Sequence, residues 1–190
     1  MIQCVVGLGN PGPKYEGTRH NVGFWLVDRL ACRYAAVMRA ENKFFGEIAR
    51  IRTEVGECWL LKPMTYMNHS GRAVSAVAHF YKIPVEQMLV VHDELDLAPG
   101  VIRLKRGGGH GGHNGLRDIV SAMGSKDFYR ARIGIGHPGH RDAVTDYVLS
   151  RPYKAEQEAI EAGLDEIQRH WDVIQAGDMQ RAMQEIHSAT

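Results

Sequence analysis

Apolar residues along the chain fall into short runs that alternate with stretches of helical spacing. Runs at 2–7, 45–52, 58–62, 88–92, 101–105 and 131–136 are bounded by Gly, Pro or Asp and read as strands, with 45–62 forming a hairpin. Helices are predicted over 22–36, over 71–81 behind a Ser70 cap, and over 116–123, where Leu116, Ile119, Val120 and Met123 make one stripe. Near the C-terminus Ile160, Leu164, Ile167, Trp171 and Ile174 recur at helical spacing, as in a helix packed on its own core. Gly177 then separates a final short helix. Strands alternating with helices predict an α/β domain rather than a bundle or a sandwich.

Composition narrows this further. With 190 residues, 44% hydrophobic and 24% charged, the chain suits one domain with a sizeable core. No basic segment with an apolar run and a cleavage site opens it, and no apolar stretch spans a membrane, so no membrane partner and a cytoplasmic location are expected. Cys4, Cys32 and Cys58 are odd in number and lack C-x-x-C spacing, which argues for reduced, buried thiols and against a disulfide framework or structural zinc. The net charge of +1 conceals a division: residues 1–153 carry 20 Lys and Arg against 14 Asp and Glu, whereas 154–190 carry 3 against 8. A basic body with an acidic helical segment fits an anionic partner, but it equally fits an uneven solvated surface.

Gly7-Leu8-Gly9-Asn10-Pro11-Gly12 matches G-x-G-x-x-G after a strand. The dinucleotide reading fails because Pro11 and Pro13 break the turn, and helical periodicity resumes only near Val22. What remains is a rigid loop whose Asn10 is either a turn former or a presented amide. His20 precedes a helix with Asn21 as its cap, where the positive helix end would favour the neutral imidazole of a general base. Asp93 ends the run Met88-Leu89-Val90-Val91, at the strand edge where α/β sheets place their chemistry. Asn68 follows another strand, and Asn114 precedes a helix, where an N-cap is its plain reading. If the strands before Asn10, Asn68 and Asp93 run parallel, these side chains converge beside His20 and the 107–115 loop. No G-x-S-x-G elbow or protease-type cysteine supplies a nucleophile, which leaves water as the attacker.

The segment Arg103-Leu104-Lys105-Arg106-Gly107-Gly108-Gly109-His110-Gly111-Gly112-His113-Asn114 combines cations with glycines, so that a phosphate backbone can approach closely. His110 with His113, and His137 with His140, have H-x-x-H spacing and keep open a metallohydrolase reading with Asp93. Both pairs lie in Gly- and Pro-rich loops rather than on a helix, which counts against a metal site. A noncatalytic RNA-binding module is the other alternative.

Six blocks in order, Gly7 to Gly12, Thr18-Arg19-His20-Asn21, Lys62-Pro63-Met64-Thr65-Tyr66-Met67-Asn68, His92-Asp93-Glu94-Leu95-Asp96, Gly109 to Gly115 and Arg132-Ile133-Gly134-Ile135-Gly136, resemble the bacterial peptidyl-tRNA hydrolase family. The resemblance runs from about Ile2 to Pro152 and fades beyond Tyr153. It implies a monomeric single α/β domain with a mixed twisted sheet flanked by helices, and hydrolysis of the ester between a peptide and tRNA without cofactor or metal. It further implies that His20 deprotonates water with Asp93 in support, and that Asn10 distinguishes blocked from free aminoacyl-tRNA. Asn68 and Asn114 would contact substrate, Tyr15, Tyr66, Met67 and His113 would line the cleft, and Lys105 with Arg132 would clamp the terminal phosphate of the acceptor stem. The implied partner is peptidyl-tRNA, through its acceptor stem, 3' end and nascent peptide.

Overall fold

The computed structural model describes residues 1–189, and Thr190, the last position of the acidic segment, lies outside them. Seven strands form one mixed sheet: β1 (Cys4–Gly7), β2 (Arg39–Glu41), β3 (Gly46–Arg52), β4 (Glu57–Pro63), β5 (Met88–Glu94), β6 (Ile102–Arg106) and β7 (Tyr129–Gly134). Their order is β2-β3-β4-β1-β5-β7-β6. The central pairs β4/β1, β1/β5 and β5/β7 are parallel, and both flanks are antiparallel. The strands before Asn10, Asn68 and Asp93 therefore do run parallel and end along one edge.

Seven α-helices accompany them: α1 (Val22–Arg33), α2 (Ser70–Tyr81), α3 (Asn114–Met123), α4 (Val144–Val148), α5 (Lys154–Arg169), α6 (Trp171–Ala176) and α7 (Met179–Ala189). No helix among the described residues is long and apolar enough to cross a membrane. Strand alternation divides the core between two faces. Val5, Leu89 and Val91 pack with Leu26, Val27, Leu30 and the apolar stripe of α5–α7, while Cys4, Val6 and Val90 pack with Val74, Val77, Leu116 and Ile119 of α2 and α3. A central sheet buried on both faces explains why its strands are apolar without alternation. Ile160, Leu164, Ile167, Trp171 and Ile174 are all fully buried, so the C-terminal stripe packs on its own core as expected. Gly177 (φ 87°) closes α6 in the left-handed conformation and separates α7.

Several local expectations are corrected. Ser70 does not cap α2: its hydroxyl donates to the Met67 carbonyl, and Asp118 of α3 accepts from the Gly71 amide instead. Cys4 and Cys58 are buried, but Cys32 is exposed because it sits on the solvent side of the last turn of α1. The strand expected at 131–136 begins two residues earlier, at Tyr129, and carries the buried Arg130, a charge that masked it. Two elements were not anticipated: β2, an edge strand with every residue exposed, and α4, which is only five residues long.

One close approach sets the position of the α1 N-terminus. Gly23, in the first turn, lies directly against the sheet, where a Cβ would collide with the carbonyl of Val91 and the backbone of Leu8. The contact presses the start of α1, and the turn before it, against the ends of β1 and β5. Gly23→Ala is expected to cost about 1–3 kcal/mol of stability through overpacking, read as a lower urea midpoint with an unchanged m-value.

Candidate active site

Loops leaving the parallel strands, together with α3 and α4, enclose a cavity of about 610 Å³. At its floor lies Asp93, next to last in β5 and 4% exposed. A carboxylate this buried requires partners, and it has two imidazoles, one for each oxygen. Oδ2 lies 2.7 Å from His20 Nδ1, and Oδ1 lies 2.7 Å from His113 Nε2. Burial disfavours the Asp93 anion, but the two histidines outweigh it and hold the carboxyl well below the usual carboxylate range.

The partners of each ring define its tautomer. His113 is the N-cap of α3, and its Nδ1 accepts from the amides of Gly115 and Leu116, so the ring proton sits on Nε2 and is donated to Asp93. Both of its nitrogens are thereby engaged. His20, in the short helical turn Arg19–Asn21, donates from Nδ1 to the same carboxylate and keeps a lone pair on Nε2. The rings are tilted, with centroids 5.1 Å apart. Burial lowers the basicity of His20, but the Asp93 charge and hydrogen bond together raise its pKa above the ordinary 6.5. The expected preference for a neutral imidazole is thus reversed, because a full charge at 2.7 Å outweighs the fractional charge of a helix end.

Asn21 and Asn114 are not side-chain caps either. Asn21 accepts from the Asn10 amide and donates to the Asn10 carbonyl, bracing the Gly9–Pro11 bend, while Asn114 opens α3 one residue after its cap. The Asn10 Oδ1 accepts from the Met67 amide at 2.7 Å, which ties the loop after β1 to the loop after β4 and leaves Nδ2 as the donor end of the side chain. Asn10, Tyr66, Met67, Asn68, His113 and Asn114 all line the cavity, as do Lys105 and Arg132. Tyr15 does not: its carbonyl accepts from the Thr18 hydroxyl within its own turn.

Register places Lys105 of β6 opposite Arg130 of β7, with Arg132 two residues further on the same face. Burial and the two neighbouring guanidiniums lower the Lys105 pKa. Arg130 is held by the carbonyls of Gly108, Gly109 and Lys126 and pins the base of the glycine loop. Among the described residues Lys105 and Arg132 have no hydrogen-bonded or salt-bridged partner, and Arg132 Nε is buried without one.

Arg130 and His92 are site residues that sequence reasoning passed over. His92 is 2% exposed and gives its Nδ1 proton to the Asp93 carbonyl, so it reinforces the backbone beneath the carboxylate. Alternation offered a signal for Arg130, since it precedes Arg132 by two in one strand. The wall formed by Val144, Thr145 and Val148 of α4 had no motif to announce it.

His20, Asp93 and His113 are the one group among the described residues whose ligand atoms converge closely enough to hold a metal, all within 4.8 Å. Their chemistry suits protons better. Each nitrogen lies 2.7 Å from a carboxylate oxygen, the spacing of a shared hydrogen, whereas two ligand atoms held about 2.0–2.2 Å from one tetrahedral zinc would stand roughly 3.3 Å or more apart. The H-x-x-H pairs do not assemble: the Nδ1 atoms of His110, His137 and His140 accept from amides of their own loops, and His137 and His140 lie outside the cavity.

The family profile described as Peptidyl-tRNA hydrolase matches residues 4–190. A peptidyl-tRNA hydrolase of Halorhodospira halophila is 56% identical over 187 residues, covering 98% of this chain and 96% of that one. Another, of Haemophilus ducreyi, is 56% identical over 175 residues, covering 92% and 90%. A crystal structure of peptidyl-tRNA hydrolase from Acinetobacter baumannii superposes with a TM-score of 0.93 at 47% identity, covering 97% of this chain and 94% of that one.

Burial and hydrogen bonding predict an untitrated His92 and a fixed tautomer for His113. Burial, aided by His113, pushes His92 down to about 3, so it stays neutral where a free histidine is half protonated. Imidazole ¹⁵N spectra should show His92 without a titration step near 6.5 and His113 protonated on Nε2 but not on Nδ1. A His113 signal with the proton on Nδ1 would contradict the cap-directed tautomer.

Proposed function

The chain belongs to the peptidyl-tRNA hydrolase family, and on that footing we propose that it cleaves the ester of peptidyl-tRNA with a water molecule deprotonated by His20. The observation that carries this is the hydrogen bond from His20 Nδ1 to Asp93 at 2.7 Å, which leaves Nε2 as an acceptor beside the cavity. Water gives its proton to Nε2 as its oxygen attacks the ester carbonyl. The bond from that carbon to the ribose oxygen then breaks, and the imidazolium returns the proton to the ribose. Asp93 supports the transient cation, and amide donors stabilise the oxyanion. His113 is a poor candidate for the base, because the helix cap and Asp93 occupy both of its nitrogens.

Asn10 has a fixed orientation, with Oδ1 committed to Met67, so it offers an N–H to the acyl group. That donor suits an amide carbonyl beyond the ester, which a blocked aminoacyl group has and a free one lacks. Asn68, Asn114, Tyr66 and Met67 surround the same space and supply further substrate contacts. Lys105 and Arg132 are not engaged in a salt bridge among the described residues and clamp the acceptor-stem phosphate. Two adjacent cations repel one another, and an incoming phosphate relieves that repulsion.

With N-acetyl-aminoacyl-tRNA as substrate, His20→Ala should lower kcat by roughly 100-fold or more, and Asp93→Asn should do the same less severely. Wild-type kcat should fall towards acid through a single group lying above 6.5, since the raised pKa keeps His20 protonated to higher pH. Prolonged EDTA treatment should leave turnover intact. Loss of activity with recovery in zinc would instead favour a metal held by His20, Asp93 and His113.

The clamp predicts a different signature. Lys105→Ala and Arg132→Ala should raise KM for the full substrate with kcat nearly unchanged, because the contact is equal in ground and transition states. The log-log salt dependence of binding should flatten by roughly 0.7–0.9 for each cation removed. A short acyl-aminoacyl ester without the stem should be cleaved equally by wild type and both variants. Wild-type KM and salt slope on full-length substrate would move the RNA to another face.

A further inference from the structure

The residue before His20 is a buried cation with no evident duty in the reaction. Arg19 has only 3% of its side chain exposed and reaches α4, the loop after it and α5 at once. Its Nη1 donates to the Tyr147 carbonyl of α4 at 3.0 Å and to the Ser150 hydroxyl just beyond, and its backbone amide donates to the Ser150 carbonyl. Its Nη2 donates to Glu156 Oε1 at 2.9 Å, in the first turn of α5. The guanidinium also stacks over the Tyr147 ring, 3.8 Å from its centroid, and the Tyr147 hydroxyl donates to the Ile135 carbonyl beyond β7.

We propose that Arg19 is a positioning residue for His20, joining the turn that presents the imidazole to the α4 wall of the cavity and to Glu156 at the head of the acidic segment. Taken as an ion pair alone, the contact gives little reason to be buried, because desolvation cancels most of its attraction. Its value is geometric. A planar fork with an aromatic face above it fixes direction as well as distance, which a lysine cannot do. Asp93 and the capped His113 ring, 5.1 Å from His20 by centroid, approach the imidazole from β5 and α3. Arg19 holds the chain on the other side of the same three-residue turn, so that the ring is fixed between two anchors. Glu156 also accepts from the Tyr153 amide in a capping arrangement, which joins the start of α5 to the same network.

This inference rests on His20 being the base, and the experiment separates the two. In the full chain, Arg19→Lys, Glu156→Gln and His20→Ala are compared with Ile160→Val, a core change in α5 that touches none of these contacts. Arg19→Lys is expected to lose about 10- to 100-fold in kcat, with KM for N-acetyl-aminoacyl-tRNA nearly unchanged. Its acid limb should move down towards 6.5 as the hold of Asp93 on the imidazole loosens. Glu156→Gln, which keeps the acceptor but removes the charge, should shift the limb in the same direction by less, and it carries the test if Arg19→Lys does not fold. Ile160→Val should lower the urea midpoint without moving the limb. An inactive His20→Ala beside Arg19→Lys and Glu156→Gln variants with wild-type kcat and limb would overturn the role of Arg19 alone, as would kcat losses no greater than those of Ile160→Val at matched stability. An active His20→Ala would overturn the base itself.

Discussion

A carboxylate buried at the end of a central strand is the constraint to which the surrounding architecture answers. Asp93 is 4% exposed, and an unpaired charge at that depth would cost several kcal/mol. Two imidazoles meet the requirement, and they arrive from different sides of the sheet: His20 from the turn ahead of α1, His113 from the N-cap of α3. Each helix is packed on its own half of the core. The closeness of Gly23 to β1 and β5 and the amides at the head of α3 are thus conditions for a stable Asp93. Local geometry then separates two chemically identical rings, because the helix that supplies His113 consumes its second nitrogen while the turn that supplies His20 does not.

Charge is zoned around this centre. The polar edge of β1, β4 and β5 carries neutral amides and the His–Asp–His cluster, whereas the β7/β6 margin carries Lys105, Arg130 and Arg132 on one face. Arg130 spends its donors on carbonyls of the glycine loop, so it is structural although it lines the cavity, and Lys105 and Arg132 keep theirs. The spacing of ionised groups thereby separates a floor built on the His–Asp–His cluster from a cationic rim. In the proposed reaction this division lets recognition of the RNA and cleavage of the ester respond separately to mutation.

Much of this was legible in the sequence because the parallel strands are apolar and their loops polar. Asn10 and Asn68 each follow such a strand and Asp93 lies at the end of one, and convergence at one edge follows from their parallel pairing. What was not legible depends on partners distant in sequence. Asn21, Ser70 and Asn114 have the composition of caps, yet the Asn10 backbone claimed Asn21, the Met67 carbonyl three residues back claimed the Ser70 hydroxyl, and the cap of α3 is a histidine, a residue with little cap preference whose acceptor nitrogen fits only because Asp93 receives its other proton. Arg130 hid a strand start because a charge in a central strand contradicts the usual pattern, and two of the three carbonyls that satisfy it lie 21 and 22 residues away. Arg19 bonds Tyr147, Ser150 and Glu156, between 128 and 137 residues away. No window of sequence contains such a pair.

The same hydrogen bond links stability to activity with opposite signs. His20 has a raised folded pKa, so its contribution to stability is complete below its unfolded value and disappears as pH rises through the folded one. Asp93 has a lowered folded pKa, and its contribution is present above its unfolded value and lost as pH falls through the folded one. The cluster is therefore most stabilising between those limits, with imidazolium facing carboxylate. A general base has to work from the unprotonated ring, at the upper border of that window. There the Coulombic part of the His20–Asp93 contact has been given up and the neutral hydrogen bond alone must hold the ring in line. A tether behind His20 that does not depend on that charge, as Arg19 supplies to α4 and α5, becomes most useful at the pH where the unprotonated ring, the form the proposed reaction uses, prevails.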